Sequence, residues 1–116
     1  MKRHDDLGRL THMRDHAREA MTLAGDATRA DLDRDRKLEL ALVRLVEIVG
    51  EAAARVSEPL KIRHPHIPWA EIIGMRNRIV HGYDTVDLDI RWGVIATDLP
   101  DVVGQLDHLI EQIQAD

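Results

Sequence analysis

The apolar residues of the chain recur at three- and four-residue steps, and this spacing constrains the fold more than any other feature of the sequence. The first such segment runs from about residue 5 to 24 and contains Leu7, Leu10, Met13, Ala17, Ala20, Met21 and Ala24. Steps of three and four residues place side chains on one face of an α-helix, whereas strands alternate at period two. Because no segment alternates cleanly at period two, the sequence predicts an all-α fold, a compact up-and-down bundle of four to five helices.

Glycine and acidic residues mark the ends of the first two predicted helices. Gly25 closes the first helix, and either Asp31 or Asp33 is expected to cap the second. The second helix runs from about residue 34 to 56 and is apolar around much of its circumference, which predicts burial on more than one side. It carries little side-chain bulk at Gly50 and at residues 52–54, so that another helix can approach closely there.

The second half of the chain is divided by prolines, glycine and aspartate. Three prolines within residues 57–68 predict an extended connection. A third helix is predicted from Trp69 to about His81, with Gly82 ending it. Asp87 is expected to cap a short fourth helix to about Thr97, and a fifth helix restarts at residues 98–101 and reaches the C-terminus.

Composition restricts the class of protein. A length of 116 residues with 44% hydrophobic and 32% charged residues predicts a single folded domain over 1–116. The net charge of -5 argues against broad coating of nucleic acid, and the absence of cysteine fits a reducing cytoplasm. No apolar run approaches the length of a bilayer span, so we expect a cytoplasmic protein without membrane contact.

No cofactor is expected. His12 and His16 have the four-residue spacing of helical metal ligands, but no glutamate near them fits the zincin pattern. Surface histidines are the simpler interpretation, and the sequence predicts no metal site.

Arg76 interrupts the apolar stripe of the third helix. On an ideal helix with about 100° per residue it falls inside the arc formed by the helix's tryptophan, isoleucines and valine. An unpaired guanidinium cannot lie in a core, so Arg76 must meet a buried carboxylate or face a cleft or a subunit contact. Glu47 and Glu51 on the second helix are its expected structural partners.

Residues 76–83, Arg-Asn-Arg-Ile-Val-His-Gly-Tyr, combine a permanent cation, a group that titrates near neutrality and a phenol. Arg76 and His81 are five residues apart, a rotation of about 140° on a regular helix, so they do not share a face within one copy. A second copy in a two-fold dimer could supply the complement. Asn77 and His81, four residues apart, do share a face, which makes Asn77 a supporting residue for the imidazole or a phosphate contact.

Further cations flank this segment. Lys61, Arg63 and His64 form a basic run before the third helix, and Arg78 follows Asn77. Each is a candidate for contact with the phosphates of RNA, although such a run is more often a solvated loop. The chain has too few aromatic residues for base stacking, so any contact with nucleic acid would depend on cations and polar groups.

Residues 76–83 resemble the signature of the HEPN superfamily, Arg-x4-His-x-Tyr with Asn after the Arg. The wider context resembles its HepT-like branch over three segments, which are Glu47–Ala53, Ile67–Asn77 and Asp98–Pro100. The resemblance implies an HEPN-like bundle and a metal-independent endoribonuclease, the toxin of a type VII-like toxin–antitoxin pair. One departure is that the connection at residues 25–34 lacks a Phe, where relatives are expected to have an aromatic anchor.

The resemblance also implies partners and residue roles. Arg76 and His81 from both subunits of a homodimer would line the cleft where RNA is cut, with no DNA cleavage. The cognate antitoxin would be a minimal nucleotidyltransferase, and Tyr83 would be its adenylylation target. Two alternatives remain open at this point: a non-catalytic HEPN module that binds nucleotide or scaffolds a nucleotidyltransferase, and a structural bundle in which Arg76 only pairs with Glu51.

Overall fold

The computed structural model describes residues 3–80 and 88–115, and no strand occurs within these two ranges. The helices are α1 (Arg3–Ala24), α2 (Asp31–Arg34), α3 (Arg36–Arg55), α4 (Glu58–Arg63), α5 (Trp69–Val80), α6 (Leu88–Gly93) and α7 (Leu99–Ala115). A π-helical turn, Val94–Asp98, joins α6 to α7. The prediction of an all-α bundle is therefore confirmed.

The core lies where α1 packs on α3 and α7, and where α3 packs on α5. Helix α3 occupies the centre, because it contacts α1 and α5 through different parts of its surface. The expectation that this helix is buried on more than one side is confirmed by its fully or nearly enclosed residues, Leu42, Leu45, Val46, Val49, Ala52 and Ala53. Burial of the leucine and valine side chains contributes roughly 1.5–3 kcal/mol each to folding.

Helix α1 ends where predicted, at Gly25, whose φ of 47° is a conformation that side chains with a Cβ rarely adopt. The predicted cap of α3 is wrong. Asp35 caps it, and its carboxylate accepts the backbone N–H of Leu38 at 3.0 Å. Asp31 instead begins the short helix α2 and accepts the backbone N–H of Thr28 at 2.8 Å, a bond that lowers the pKa of Asp31.

The segment predicted as an extended connection contains the six-residue helix α4. Pro59 does not prevent it, because proline is tolerated in the first turn, where the missing N–H would have no partner. The turn before α4 is held by Asp6 of α1, whose buried carboxylate accepts the N–H of Ser57 at 2.9 Å and its hydroxyl at 2.6 Å. After α4, the indole N–H of Trp69 donates to the carbonyl of His64 at 3.0 Å and fixes the entry into α5.

The last predicted helices differ from the structure in how they join. The sequence predicted a fourth helix ending near Thr97, but α6 ends at Gly93 and the π-helical turn continues it directly to α7. Asp87 and Gly82 lie outside the described residues. Within the described ranges, the helices are too short or too polar to cross a bilayer.

Candidate active site

Arg76 lies at the edge of the contact between α3 and α5, not inside the core. The buried residues of α5 are Trp69, Ile72, Met75 and Ile79, which leaves Arg76 beside this stripe with 52% of its side chain exposed. Its Nε is 3.7 Å from Oε2 of Glu47, whose side chain is 23% exposed. That separation is an ion pair beyond hydrogen-bonding range. The guanidinium is therefore oriented by Glu47 while its N–H groups can still bind an anion.

The second carboxylate predicted to meet Arg76 has a different partner. Oε1 of Glu51 lies 3.4 Å from Nη1 of Arg44, within α3 itself. Glu47 and Glu51 are one helical turn apart, and the geometry assigns the first to Arg76 and the second to Arg44.

Gly50 allows α5 to approach α3 directly beside Arg76. A Cβ at this position would lie 3.3 Å from the carbonyl oxygen of Ile73 and 3.4 Å from Cβ of Arg76. The predicted close helix approach is confirmed at this point. The backbone contact fixes the position from which the arginine side chain leaves α5.

Asn77 and Arg78 follow Arg76 on the exposed part of α5. Arg78 faces a cleft of about 140 Å³ between α5 and α7, where its Nη1 lies 3.4 Å from Oδ2 of Asp98 and its Nη2 donates to the carbonyl of Glu71 at 3.3 Å. Asp101 also lines this cleft. Acidic surroundings oppose phosphate binding. The structure thus does not bring Arg78 to the side of α5 that carries Arg76.

His81 and Tyr83 lie outside the described residues. The structure describes α5 up to Val80, one residue before the histidine. Their roles, and the rotation between Arg76 and His81, remain sequence predictions.

The residues of the basic run before α5 differ in how far their side chains are buried. The side chain of Lys61 is only 11% exposed, with its Nζ 3.7 Å from Oε1 of Glu58, whereas Arg63 is exposed. His64 is half-buried, and burial, together with the nearby charges of His66 and Arg63, lowers its pKa. A histidine with a lowered pKa is mostly neutral at pH 7 and attracts phosphate weakly. Among these residues Arg63 has the properties expected of an RNA contact.

An open cleft of about 520 Å³ lies between α4 and α5. It is lined by Lys61, Ile62, Trp69 and Ile73, and Ile73 is one helical turn before Arg76. Ile62 is 72% exposed, which is unusual for an isoleucine. The cleft therefore exposes apolar side chains between α4 and the first half of α5.

A buried arginine that the sequence analysis missed connects α6 to the backbone of α5 and to α3. Arg91 of α6 donates from Nε to the carbonyl of Ile79 at 2.6 Å, and its Nη1 lies 2.6 Å from Oε2 of Glu39. Glu39 also accepts a hydrogen bond from Arg36 at 3.0 Å. The signal in the sequence is that Glu39 shares a helix face with Leu42 and therefore needs a cation in the core.

Within the described ranges, no group of three or more histidine or acidic side chains is arranged to hold a metal ion. The rings of His12 and His16 lie 4.1 Å apart on α1, and Nδ1 of His16 bonds the carbonyl of His12 at 2.8 Å. His16 is the donor in this hydrogen bond, in the tautomer that carries the proton on Nδ1.

Comparison with known proteins gives one consistent family. The family described as "Ribonuclease HepT-like" matches residues 13–109. A "Probable ribonuclease HepT" of Thermococcus cleftensis is 35% identical over 95 residues, covering 78% of this chain and 86% of that protein. A protein of Caldanaerobacter subterraneus subsp. tengcongensis, named as a candidate RNase, is 33% identical over 82 residues, covering 71% of this chain and 73% of that protein. No solved structure matches the chain significantly.

Proposed function

Since the chain belongs to the HepT-like ribonuclease family, we propose that it is a metal-independent endoribonuclease whose active site combines Arg76 and His81. Family membership supports ribonuclease activity, and the proposal adds the mechanism and the residues. The observation that carries it is the state of Arg76. Its guanidinium is half exposed and is oriented by Glu47 at 3.7 Å, a distance that leaves its donors able to bind an anion.

Arg76 would act on the phosphate. Arginine stays charged at every pH in the cell and presents two N–H groups to phosphoryl oxygens. Negative charge builds on these oxygens as the phosphorus is attacked, so a pre-oriented cation stabilises the transition state more than the substrate. Glu47 would hold the guanidinium in place without neutralising it fully, because both side chains retain access to water.

His81 would transfer the protons. An imidazole with a pKa near its ordinary value of about 6.5 can accept the proton of the ribose 2′-hydroxyl near neutral pH. The 2′-oxygen then bonds to phosphorus, the bond to the 5′-oxygen breaks, and a protonated imidazole returns a proton to that leaving oxygen. The products are a 2′,3′-cyclic phosphate and a 5′-hydroxyl. DNA is spared because it lacks the attacking group.

Two copies of the chain would form the site. A regular helix places Arg76 and His81 about 140° apart, so one copy does not direct both side chains at one phosphate. The exposed side chain of Ile62 and the apolar cleft that it lines with Ile73 support contact with a second copy, since burying them removes apolar area from water. Asn77, on the exposed part of α5, would support the histidine or the phosphate.

The protein would act as the toxin of a toxin–antitoxin pair whose antitoxin is a minimal nucleotidyltransferase. Adenylylation of Tyr83 would place a bulky, negatively charged group two residues after His81 and repel RNA. Mass spectrometry after incubation with that enzyme and ATP tests this step. A mass increase of one adenylyl group on wild type, absent from Tyr83→Phe, is the expected result, and an unmodified Tyr83 would reject it.

The decisive experiment is RNA cleavage in excess chelator by wild type, Arg76→Ala and His81→Ala. We expect cleavage by wild type alone, with a 2′,3′-cyclic phosphate end, and no cleavage of a substrate that carries 2′-deoxyribose at the scissile position. Cleavage by His81→Ala at the wild-type rate would contradict the mechanism. Wild type that is inactive yet forms a stable complex with the nucleotidyltransferase would indicate the non-catalytic module instead.

A further inference from the structure

Helix α3 carries three charged side chains on the face beside Arg76. Arg44, Glu47 and Glu51 recur at steps of three and four residues, which places them on the same side of the helix. Oε2 of Glu47 lies 3.7 Å from Nε of Arg76, and Oε1 of Glu51 lies 3.4 Å from Nη1 of Arg44. Two carboxylates about one helical turn apart therefore each hold a guanidinium on this face.

The arginines of these two pairs are more exposed to water than the carboxylates that hold them. The side chain of Arg44 is 60% exposed against 42% for Glu51, and that of Arg76 is 52% exposed against 23% for Glu47. An anion that approaches from water therefore has freer access to the guanidinium groups than to the carboxylates. Arg78 lies in the opposite setting, because three carboxylates line its cleft.

Both pairings leave guanidinium donors for another partner. A guanidinium has five N–H donors, and the contact that the described residues provide to Arg44 is one long hydrogen bond, 3.4 Å to Glu51. Arg76 meets Glu47 beyond hydrogen-bonding range. Each carboxylate thus restrains its arginine without using most of its donors, so that less side-chain entropy is lost when a phosphate binds.

The spacing of the two pairs fits a single nucleic-acid strand. Glu47 and Glu51 are four residues apart, which is about 6 Å along an α-helix. This distance is close to the length of one nucleotide in an extended strand. Cations arranged along a strand bind successive phosphates, and each contact adds to the affinity whatever the base sequence.

We propose that Arg44 is a substrate-binding residue that holds the phosphate next to the scissile one. The inference rests on the proposed function, in which Arg76 contacts the scissile phosphate of RNA. Within one copy, the strand runs from Arg76 at the edge of α5 across the face of α3 to Arg44. Arg44 supplies affinity for strands longer than a dinucleotide and takes no part in proton transfer.

A cycle of two proteins and two substrates tests this contact. The short substrate is a dinucleotide with one ribose and one phosphate, and the long one adds 2′-deoxynucleotides on both sides of the same cleavable step. For wild type, we expect KM to be about 10-fold lower for the long substrate, with similar kcat. For Arg44→Ala, the preference should fall to about 2-fold or less, because the added phosphates no longer meet this cation. An equal preference in the two proteins, or none in wild type, would overturn the proposal.

Arg18→Ala is the matched control. Arg18 is also a half-exposed arginine paired with a carboxylate, Asp107, but it lies where α1 meets α7. The control should keep the wild-type preference for the long substrate. Loss of the preference in this control would show a general effect of net charge and would overturn the proposal.

The variants at position 44 should keep the fold, because an exposed ion pair contributes little to stability. Circular dichroism checks this before the kinetics. Should Arg44→Ala not fold, Arg44→Gln takes its place in the same cycle, since glutamine retains much of the length of the side chain without its charge. The same loss of preference is expected, and an unchanged preference would overturn the proposal.

The salt dependence of binding separates this inference from the proposed function. The ligand is the long substrate with its one ribose replaced by deoxyribose, which the proposed chemistry does not cut. Each phosphate contact on a single strand contributes about 0.7 to the slope of the logarithm of affinity against the logarithm of salt concentration. We expect the slope to fall by about 0.7 in Arg44→Ala and to stay unchanged in Arg18→Ala.

The two possible failures give different results in these assays. If wild type does not cleave RNA but Arg44→Ala loses this part of the salt slope, the proposed function fails and the phosphate contact stands. If wild type cleaves RNA and the slope is the same in wild type and Arg44→Ala, the proposed function stands and the inference is rejected.

Discussion

Helix α3 contributes a glutamate to each of two arginine pairs beside the second half of α5, and the two pairs differ in their access to water. Arg76 and Glu47 are separated by 3.7 Å and both reach solvent, whereas Arg91 and Glu39 are 2.6 Å apart and almost enclosed. An exposed ion pair contributes only about 0–1 kcal/mol, and removing one partner of a buried pair costs about 3–5 kcal/mol. Similar chemistry therefore produces an arginine that remains accessible from solvent in one place and a structural anchor in the other.

The largest loss of stability is expected for Arg91→Met alone, because this variant leaves Glu39 buried without its strongest partner. We expect the free energy of unfolding to fall by about 3 kcal/mol, the lower end of the range for such pairs, because Arg36 still bonds Glu39. Urea denaturation followed by circular dichroism measures it. A loss below about 1 kcal/mol would mean that the pair contributes no more than an exposed one.

The contact that places Arg76 is tested by Gly50→Ala. The added methyl group would lie 3.3 Å from the carbonyl of Ile73, so α5 must shift, and we expect a loss of about 1–3 kcal/mol together with slower RNA cleavage. Gly104→Ala is the matched control, because a Cβ at that helical position meets no atom within 4 Å. Alanine is the better helix former, so the control should be stabilised by up to about 1 kcal/mol. Equal stability of the two variants would contradict the close packing.

The exposed pair of Arg76 and Glu47 is tested by Arg76→Ala. Its pair with Glu47 is exposed, so the free energy of unfolding should change by less than about 1 kcal/mol while RNA cleavage falls by about 100-fold or more. Thermal unfolding and cleavage assays on the same sample measure both. A loss of stability as large as that of Arg91→Met would make Arg76 a structural residue and remove the basis for its catalytic role.

The smallest expected effect concerns pH. Burial lowers the pKa of His64 in the folded protein, so the unfolded chain binds a proton there more readily. His64 should therefore destabilise the protein as the pH falls below its unfolded value of about 6.5, and the effect should be complete below its lowered folded pKa. Between pH 7.5 and 5.5, the melting temperature of His64→Gln should fall slightly less than that of wild type. The exposed His108→Gln is the control, and an identical pH profile of His64→Gln and wild type would contradict the prediction.

Local patterns predicted most of the helices. Gly25 ended α1 and Trp69 began α5 as expected, because left-handed glycine and the residues around proline act within one turn. The errors arose where several neighbouring residues could each serve the same local role. Asp35, not Asp31 or Asp33, caps α3, since three aspartates within five residues can all serve and only the packed position of α3 selects one.

The candidate site was predictable as a motif and less so as an arrangement. Arg76 and its pairing with Glu47 were expected from the sequence, but the placement of Arg78 among acidic residues and the burial of Lys61 were not. Lys61 is buried because it lies on helix α4, where the sequence predicted an extended connection. Arg78 meets Asp98 of the π-helical turn, an element distant in the sequence. The pair of Arg91 with Glu39 was missed for the same reason, since 52 residues separate them.

The sequence by itself determined the helical class, the main helix ends and the Arg-Asn-Arg-Ile-Val-His segment, because periodicity, turn residues and motifs are properties of neighbours along the chain. Only the tertiary structure decided which glutamate pairs with which arginine, and which of the two pairs is buried away from water. Those outcomes depend on distances of a few ångströms between helices, and on the water that packing excludes. Neither quantity can be read from the order of residues, yet together they distinguish an arginine that is accessible from solvent from one that holds helices together.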